Sequence, residues 1–233
     1  MIQLPLDLRS RPSFARSDFL SSDRNAAAVE QIDRWPNWSS AALVLRGPAG
    51  CGKTHLAHLW CERASANLIT GETLTPATLP RLLEEGQCRV AIDDAERASE
   101  RALLHLYNLC VERQGSLLIT ARQLPGLWEI VLGDLRSRLR ATPAVEIEAP
   151  DDALLGAVLV KHFADRQLAV APGLIVYLLR RIGRSFADAA TVAAYLDAAA
   201  LSTGGPITIP LARRVLAAPE YQSLSLRNEP AVI

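Results

Sequence analysis

A run of small residues ending in lysine and threonine constrains this chain more than any other feature: Gly47-Pro48-Ala49-Gly50-Cys51-Gly52-Lys53-Thr54. A glycine, four residues and then Gly-Lys-Thr is the spacing of a phosphate-binding loop. Such a loop belongs between a strand and a helix, and the flanks supply both: residues 41–45 read as a short buried strand and residues 55–64 as a helix. The glycines permit positive φ and close backbone approach, so successive N–H groups can ring a polyphosphate at the positive end of the helix. Lys53 would then reach the β- and γ-phosphates and Thr54 would hold Mg²⁺. A glycine-rich turn that merely carries Lys-Thr is the competing reading, and the flanking elements argue against it.

The second half of such a site follows at 87–94, an apolar strand that stops at Asp93-Asp94. Ligands collect at the carboxyl ends of parallel strands, which makes Asp93 a metal candidate beside Thr54. Asp94 stands where it can orient a water, its short side chain pointing to slow hydrolysis, with Glu96 as the fallback. An acidic helix cap is the alternative for the pair. Thr120 ends the strand read at 116–120, where a polar side chain can sense a γ-phosphate or simply close the strand. Arg136, Arg138 and Arg140 stand at alternate positions ahead of a fifth strand at 144–147. They suit an arginine finger for a neighbour's nucleotide, a solvated face or a nucleic-acid contact, and residue chemistry alone leaves all three open.

The remaining segments complete an α/β domain over 9–149. Residues 67–70 read as a strand, 75–85 as a helix, and 100–113 as a helix whose Leu103, Leu104, Leu106, Tyr107 and Leu109 form a broad apolar face. Upstream, cap-forming residues precede a helix at 26–35, so Phe19 and Asp23 to Asn25 are either part of a nucleoside pocket or the start of an ordinary capped helix. Pro150 breaks the pattern. Helices at 153–166, 172–181, 185–201 and 210–217 then build a small all-α unit over 150–220, followed by a tail at 221–233. Arg184, at the entrance to the third of these helices, can reach back to a nucleotide or sit on the surface.

At the other end, residues 1–8 alternate apolar side chains with polar or proline positions. They suit a docking peptide anchored by Leu4, Leu6 and Leu8 as well as they suit a frayed terminus. A formal net charge of +0 over 233 residues argues against a surface that coats nucleic acid. The 4 cysteines form no Cys-x-x-Cys pair and suit free thiols in a reducing compartment, and the 4 histidines show no metal-site arrangement. No secretion signal and no apolar run of membrane-spanning length are visible, so the expected address is the cytoplasm, with no membrane partner.

With these parts placed, the chain resembles the AAA+ ATPases and, among them, the Hda/DnaA family. The resemblance rests on the phosphate loop, Ala91-Ile92-Asp93-Asp94, Leu117-Leu118-Ile119-Thr120, Ser137-Arg138-Leu139, the helical lid and the N-terminal Gln3-Leu4-Pro5-Leu6-Asp7-Leu8. That last stretch is similar to the Gln-Leu-x-Leu-x-Leu peptide with which Hda-like proteins dock on the bacterial sliding clamp. DnaA continues into a helix-turn-helix domain after its lid, whereas this sequence ends soon after it.

The resemblance implies an AAA+ P-loop domain with a five-stranded parallel sheet and an all-α lid. It implies binding of ADP or ATP with Mg²⁺. It also implies a role as negative regulator of replication initiation, meeting DnaA on the DNA-loaded DNA polymerase III sliding clamp and stimulating hydrolysis of DnaA-bound ATP. Arg138 then matches the arginine finger, Arg184 the sensor-2 arginine, and Gln3, Leu4, Leu6 and Leu8 the clamp contacts. DNA would be met through the clamp, at the replisome, and a homo-oligomer is a further expectation. After Thr120 the chain reads Ala121-Arg122-Gln123 in place of the family's acidic sensor, which points to a nucleotide-held switch with weak turnover. A DnaC-type helicase loader is the alternative that shares the Walker motifs, and a direct DNA-binding replication factor is disfavoured by the neutral charge. Near the C-terminus, Gln222-Ser223-Leu224-Ser225-Leu226 loosely echoes the clamp peptide and reads as tail.

Overall fold

In a computed structural model that describes residues 19–82 and 88–222, the apolar runs of the first two-thirds of the chain become five strands alternating with helices. In order these are α1 (Ala26–Asp33), β1 (Ala42–Arg46), α2 (Lys53–Ala64), β2 (Asn67–Thr70), α3 (Leu79–Leu82), β3 (Arg89–Asp93), α4 (Glu100–Glu112), β4 (Ser116–Ala121), α5 (Gly133–Ala141) and β5 (Ala144–Glu146). The strands form one sheet in the order β2-β3-β4-β1-β5, with every pairing parallel. This is the α/β fold expected of a P-loop protein, and its order decides where the site lies. β4 runs between β3 and β1, so its carboxyl end separates the strand that delivers Asp93 from the strand that delivers the phosphate loop. Leu45 pairs with Thr120, which brings the loop after β1 beside that threonine.

The pleat sends alternate residues to opposite faces, and both faces are covered. Ala42 and Val44 pack with Val90, Ile92, Leu117 and Ile119 against α4 and α5. Leu43 and Leu45 pack with Ala91 and Leu118 against α1 and α2, where Trp60 is fully buried. Burial on both sides explains why these strands are continuous apolar runs and do not alternate.

After Pro150 the chain folds into α6 (Asp152–Asp165), α7 (Pro172–Leu179), α8 (Phe186–Thr203) and α9 (Ile209–Ala217) around a separate core that includes Leu159, Phe163, Leu178, Val192 and Leu196. Each start carries a local signal. Asp151 accepts from the Leu154 N–H at 2.8 Å, Ser185 from Asp188 N–H at 3.0 Å and Thr208 from Leu211 N–H at 3.4 Å, while Pro172 opens α7. Gly204, at φ 62, closes α8 in the left-handed region.

Most elements fall within a few residues of their expected positions, and two regions differ. The helix expected over 75–85 is described at Leu79–Leu82, while residues 83–87 lie outside the described residues. Residues 134–140, read as a basic run leading into β5, form the body of α5. That change of geometry splits the three arginines, because alternate residues on a helix point about 200° apart whereas i and i+4 share a face. The four cysteines are free and buried. No described helix is long and apolar enough to cross a membrane.

Candidate nucleotide-binding site

The loop after β1 is shaped by space and by backbone conformation. A Cβ on Gly47 would lie 2.3 Å from the Ile147 carbonyl oxygen, and one on Gly50 would lie 2.6 Å from Ser185 Cβ. Gly50 and Gly52, at φ 68 and 105, occupy the left-handed region that favours glycine. Gly52 caps α2 without a side-chain hydrogen bond, so no side chain competes with an anion for the first-turn N–H groups. Pro48 and Ala49 are partly exposed, and Cys51 is buried. Lys53, also buried, donates from Nζ to the carbonyls of Gly47 and Pro48, both at 2.8 Å. An ammonium has three donors, and the third meets only the Cys51 sulfur at 4.0 Å, a weak contact that a phosphate oxygen can replace.

Beside the loop, Asp93 is held through both carboxylate oxygens. Thr54 Oγ1 donates to Oδ2 at 2.8 Å, and Thr120 Oγ1 donates to Oδ1 at 2.5 Å. The Asp94 N–H in turn donates to Thr120 Oγ1 at 3.1 Å. Thr120 is wholly buried, so it cannot reach out to a γ-phosphate in this arrangement. Its hydroxyl is spent on Asp93 and the Asp94 N–H, which is how a strand-ending threonine sits. Asp94 sits at φ 51 and turns the chain out of β3. A Cβ on Gly71 would lie 2.2 Å from the Asp94 carbonyl oxygen, so the loop after β2 must be glycine for that turn to fit. Glu96, the fallback for water activation, accepts from Arg122 N–H at 3.1 Å and ties the loops after β3 and β4 together.

These residues fit a nucleoside polyphosphate with Mg²⁺. The loop offers backbone N–H groups and a lysine, and Thr54 and Asp93 place a hydroxyl and a carboxylate oxygen side by side. No group of three or more His, Cys, Asp or Glu that could hold a metal occurs among the described residues. The Thr54 hydroxyl and one Asp93 oxygen are the small protein share that Mg²⁺ takes beside phosphates and water.

The lid touches the loop directly. The Phe186 N–H donates to the Gly50 carbonyl at 2.8 Å, and the rings of Phe186 and Phe19 stand 3.5 and 3.6 Å from the place a Gly52 Cβ would take. Phe19 also packs edge-on against His55, with centroids 5.2 Å apart. Phe19 therefore lies at the loop. Asn25, in contrast, folds back onto the preceding turn, accepting from Ser22 N–H and donating to the Leu20 carbonyl, both at 2.9 Å. Arg184 lies one residue from the Ser185 contact, but its guanidinium pairs with Asp152 at 3.1 Å and is two-thirds exposed. The sequence reading missed Ser185 and Phe186; the only local signal was the serine cap.

Arg138 stands on α5, with its Nε donating to Asp134 at 3.1 Å and its guanidinium 5.9 Å from the centroid of the Tyr107 ring. No described contact joins it to the phosphate loop of its own chain. Gln3, Leu4, Leu6 and Leu8 lie outside the described residues.

Known proteins give this geometry a context. No protein-family model matches the chain. It is 24% identical over 214 residues to the chromosomal replication initiator protein DnaA of Thermomicrobium roseum, covering 82% of this chain and 46% of that protein. Against DnaA of Cutibacterium acnes it is 23% identical over 233 residues, covering 89% and 47%. Domain III of DnaA from Thermotoga maritima superposes with a TM-score of 0.74 at 16% identity, covering 88% of this chain and 96% of the domain. The chain has the DnaA-type AAA+ fold. It spans about half the length of the curated DnaA proteins it matches. The same fold, at a TM-score of 0.62, 18% identity and coverage of 75% and 62%, occurs in AMPPCP-bound DnaA from Aquifex aeolicus. In the DnaA-type fold the phosphate loop, Asp93 and the lid contact of this chain lie at the carboxyl edge of the sheet, where ligands of parallel α/β sheets bind.

Proposed function

We propose that the chain is an Hda-like regulator of replication initiation that stimulates hydrolysis of ATP bound to DnaA. In this reading its own site holds ADP or ATP. The loop N–H groups and Lys53 grip the phosphates, Thr54 and Asp93 hold Mg²⁺, Asp94 stands ready to orient a water, and Arg184 exchanges Asp152 for the nucleotide. Mg²⁺ supplies charge neutralisation between the phosphates. Gln3, Leu4, Leu6 and Leu8 dock on the DNA-loaded sliding clamp, which places the protein in the cytoplasm beside DnaA and brings it to DNA only through the clamp.

The observation that carries the reading is the position of Arg138. A half-exposed guanidinium is anchored on a helix face and engages nothing described in its own phosphate loop, which is the disposition needed to act on a neighbour's nucleotide. The contrast with Lys53, buried within its own loop, supports a division between a nucleotide that shapes the protein and one on which it acts.

The test is the rate of ATP loss from preloaded DnaA, with and without clamp-loaded DNA. Acceleration that requires both the chain and the clamp, and that disappears when residues 3–8 are removed, supports the proposal. Rapid hydrolysis by the chain alone, coupled to binding of a replicative helicase, would instead make it a loader.

A further inference from the structure

Three arginines lie on α5, but their settings differ. Leu135 and Leu139 anchor the helix in the core, Arg136 and Arg140 are exposed, and Arg138 is half-buried at the edge of the apolar stripe. Its side chain lies between two partners from different elements. Asp134, one turn earlier, accepts from Nε at 3.1 Å. Tyr107 of α4, itself buried, presents its ring 5.9 Å from the guanidinium carbon.

The tyrosine is fixed in turn by the same helix. Thr142 Oγ1 donates to the Arg138 carbonyl at 2.9 Å, which uses its only proton. The Tyr107 hydroxyl, 3.2 Å from Thr142 Oγ1, must therefore be the donor of that bond. The contacts close a circuit: the Arg138 backbone holds Thr142, Thr142 holds Tyr107, and Tyr107 faces the Arg138 side chain. Among the described residues no hydrogen bond or ion pair gives Arg136 or Arg140 a comparable setting.

From this circuit we infer that Asp134 and Tyr107 are positioning residues for Arg138, presenting its guanidinium for end-on capture of the terminal phosphates of a nucleoside triphosphate held by a neighbouring protein. The inference rests on the proposed function above and adds to it the parts that aim the finger. Guanidinium donors form a planar fork with two usable edges. Asp134 occupies the Nε side, which leaves the Nη1–Nη2 edge for two phosphate oxygens. Ordering a long side chain before the encounter removes a cost that would otherwise fall on the transition state.

The experiment is single-turnover hydrolysis of ATP preloaded on DnaA with clamp-loaded DNA, titrated with the full chain as wild type, Arg138→Ala, Asp134→Ala, Asp134→Asn, Tyr107→Leu and Tyr107→Phe. Asp134→Ala and Tyr107→Leu should lower the maximal rate about three- to tenfold while leaving the half-saturating concentration unchanged, as expected for one side chain left to wander. Asp134→Asn, which keeps an acceptor for Nε, and Tyr107→Phe, which keeps the ring, should each restore the rate to within about twofold. A damaged α5 would instead raise the half-saturating concentration and lower the thermal midpoint, and that pattern would overturn the inference. So would unchanged maximal rates for Asp134→Ala and Tyr107→Leu alongside an inactive Arg138→Ala. Full stimulation by Arg138→Ala would overturn the finger reading itself and the positioning with it.

Discussion

The phosphate loop and the Arg138 face of α5 each carry a cation that the proposed function assigns to a phosphate, yet they are built in opposite ways. The loop is made from consecutive residues. Its donors are backbone groups fixed by Gly50 and Gly52, and Lys53 is folded inward onto the Gly47 and Pro48 carbonyls. Arg138 is held on a rigid helix by side chains from two helices and the turn that follows, and its guanidinium is half-exposed. A site that must keep a ligand buries its charge within its own chain. A site that must act outward keeps its charge at the surface and restricts its freedom. Even the support of α5 follows this plan: Glu100, at the start of α4, accepts from the N–H groups of Val131 and Leu132 at 3.0 and 2.8 Å and so fixes the entry to the helix.

The strongest way to break the contrast is to substitute Lys53. Lys53→Ala should weaken the chain's affinity for ADP by about a hundredfold, the loss expected for charge-assisted phosphate bonds, whereas Arg138→Ala should leave that affinity unchanged; titration calorimetry decides both. Next in size is Gly50→Ala. Its Cβ meets Ser185 Cβ at 2.6 Å and the residue is held at φ 68, so stability should fall by about 1–3 kcal/mol, read as a lower urea midpoint. Thr120→Val sharpens the comparison from inside the loop site. It strips one Asp93 oxygen and the Asp94 N–H of their partner, which should cost about 1–2 kcal/mol and weaken nucleotide binding in Mg²⁺ more than in EDTA.

The smallest effect concerns Glu100, whose carboxyl is held below the ordinary glutamate range by the two N–H groups it accepts from. A depressed folded-state pKa means that its contribution is complete above the unfolded value and disappears as pH falls through the folded one. Because the side chain is partly exposed, solvent screens the contact, so Glu100→Gln should cost only a few tenths of a kcal/mol at neutral pH, and the difference from wild type should vanish in acid.

What could be read from the sequence follows the same division. The strands, the lid helices and the residues of the loop are encoded over short spans, through apolar runs, caps and a fixed spacing, so their places are apparent without coordinates. Thr120 is different. Whether it faces a phosphate or Asp93 depends on β4 lying between β3 and β1, and strand order is not written in any one segment. Asp134 and Arg138 have the i, i+4 spacing of a helical ion pair, but that spacing has meaning only once α5 is known to be a helix, and the alternate arginines suggest a single basic run. Tyr107 reads as one more residue of an apolar face, because nothing near it in sequence announces Thr142 or Arg138. The Phe186 contact with Gly50 crosses from lid to loop and carries no local signal beyond the Ser185 cap.

In the proposed function the chain grips one nucleotide and acts on another. That division is tested most directly by the rate at which ATP is lost from preloaded DnaA when clamp-loaded DNA and ADP-saturated Arg138→Ala protein are added. A fall to the rate seen without the chain, by an Arg138→Ala protein that still binds ADP as wild type does, is the predicted result. Hydrolysis at the wild-type rate would show that Arg138 does not act on the nucleotide of DnaA.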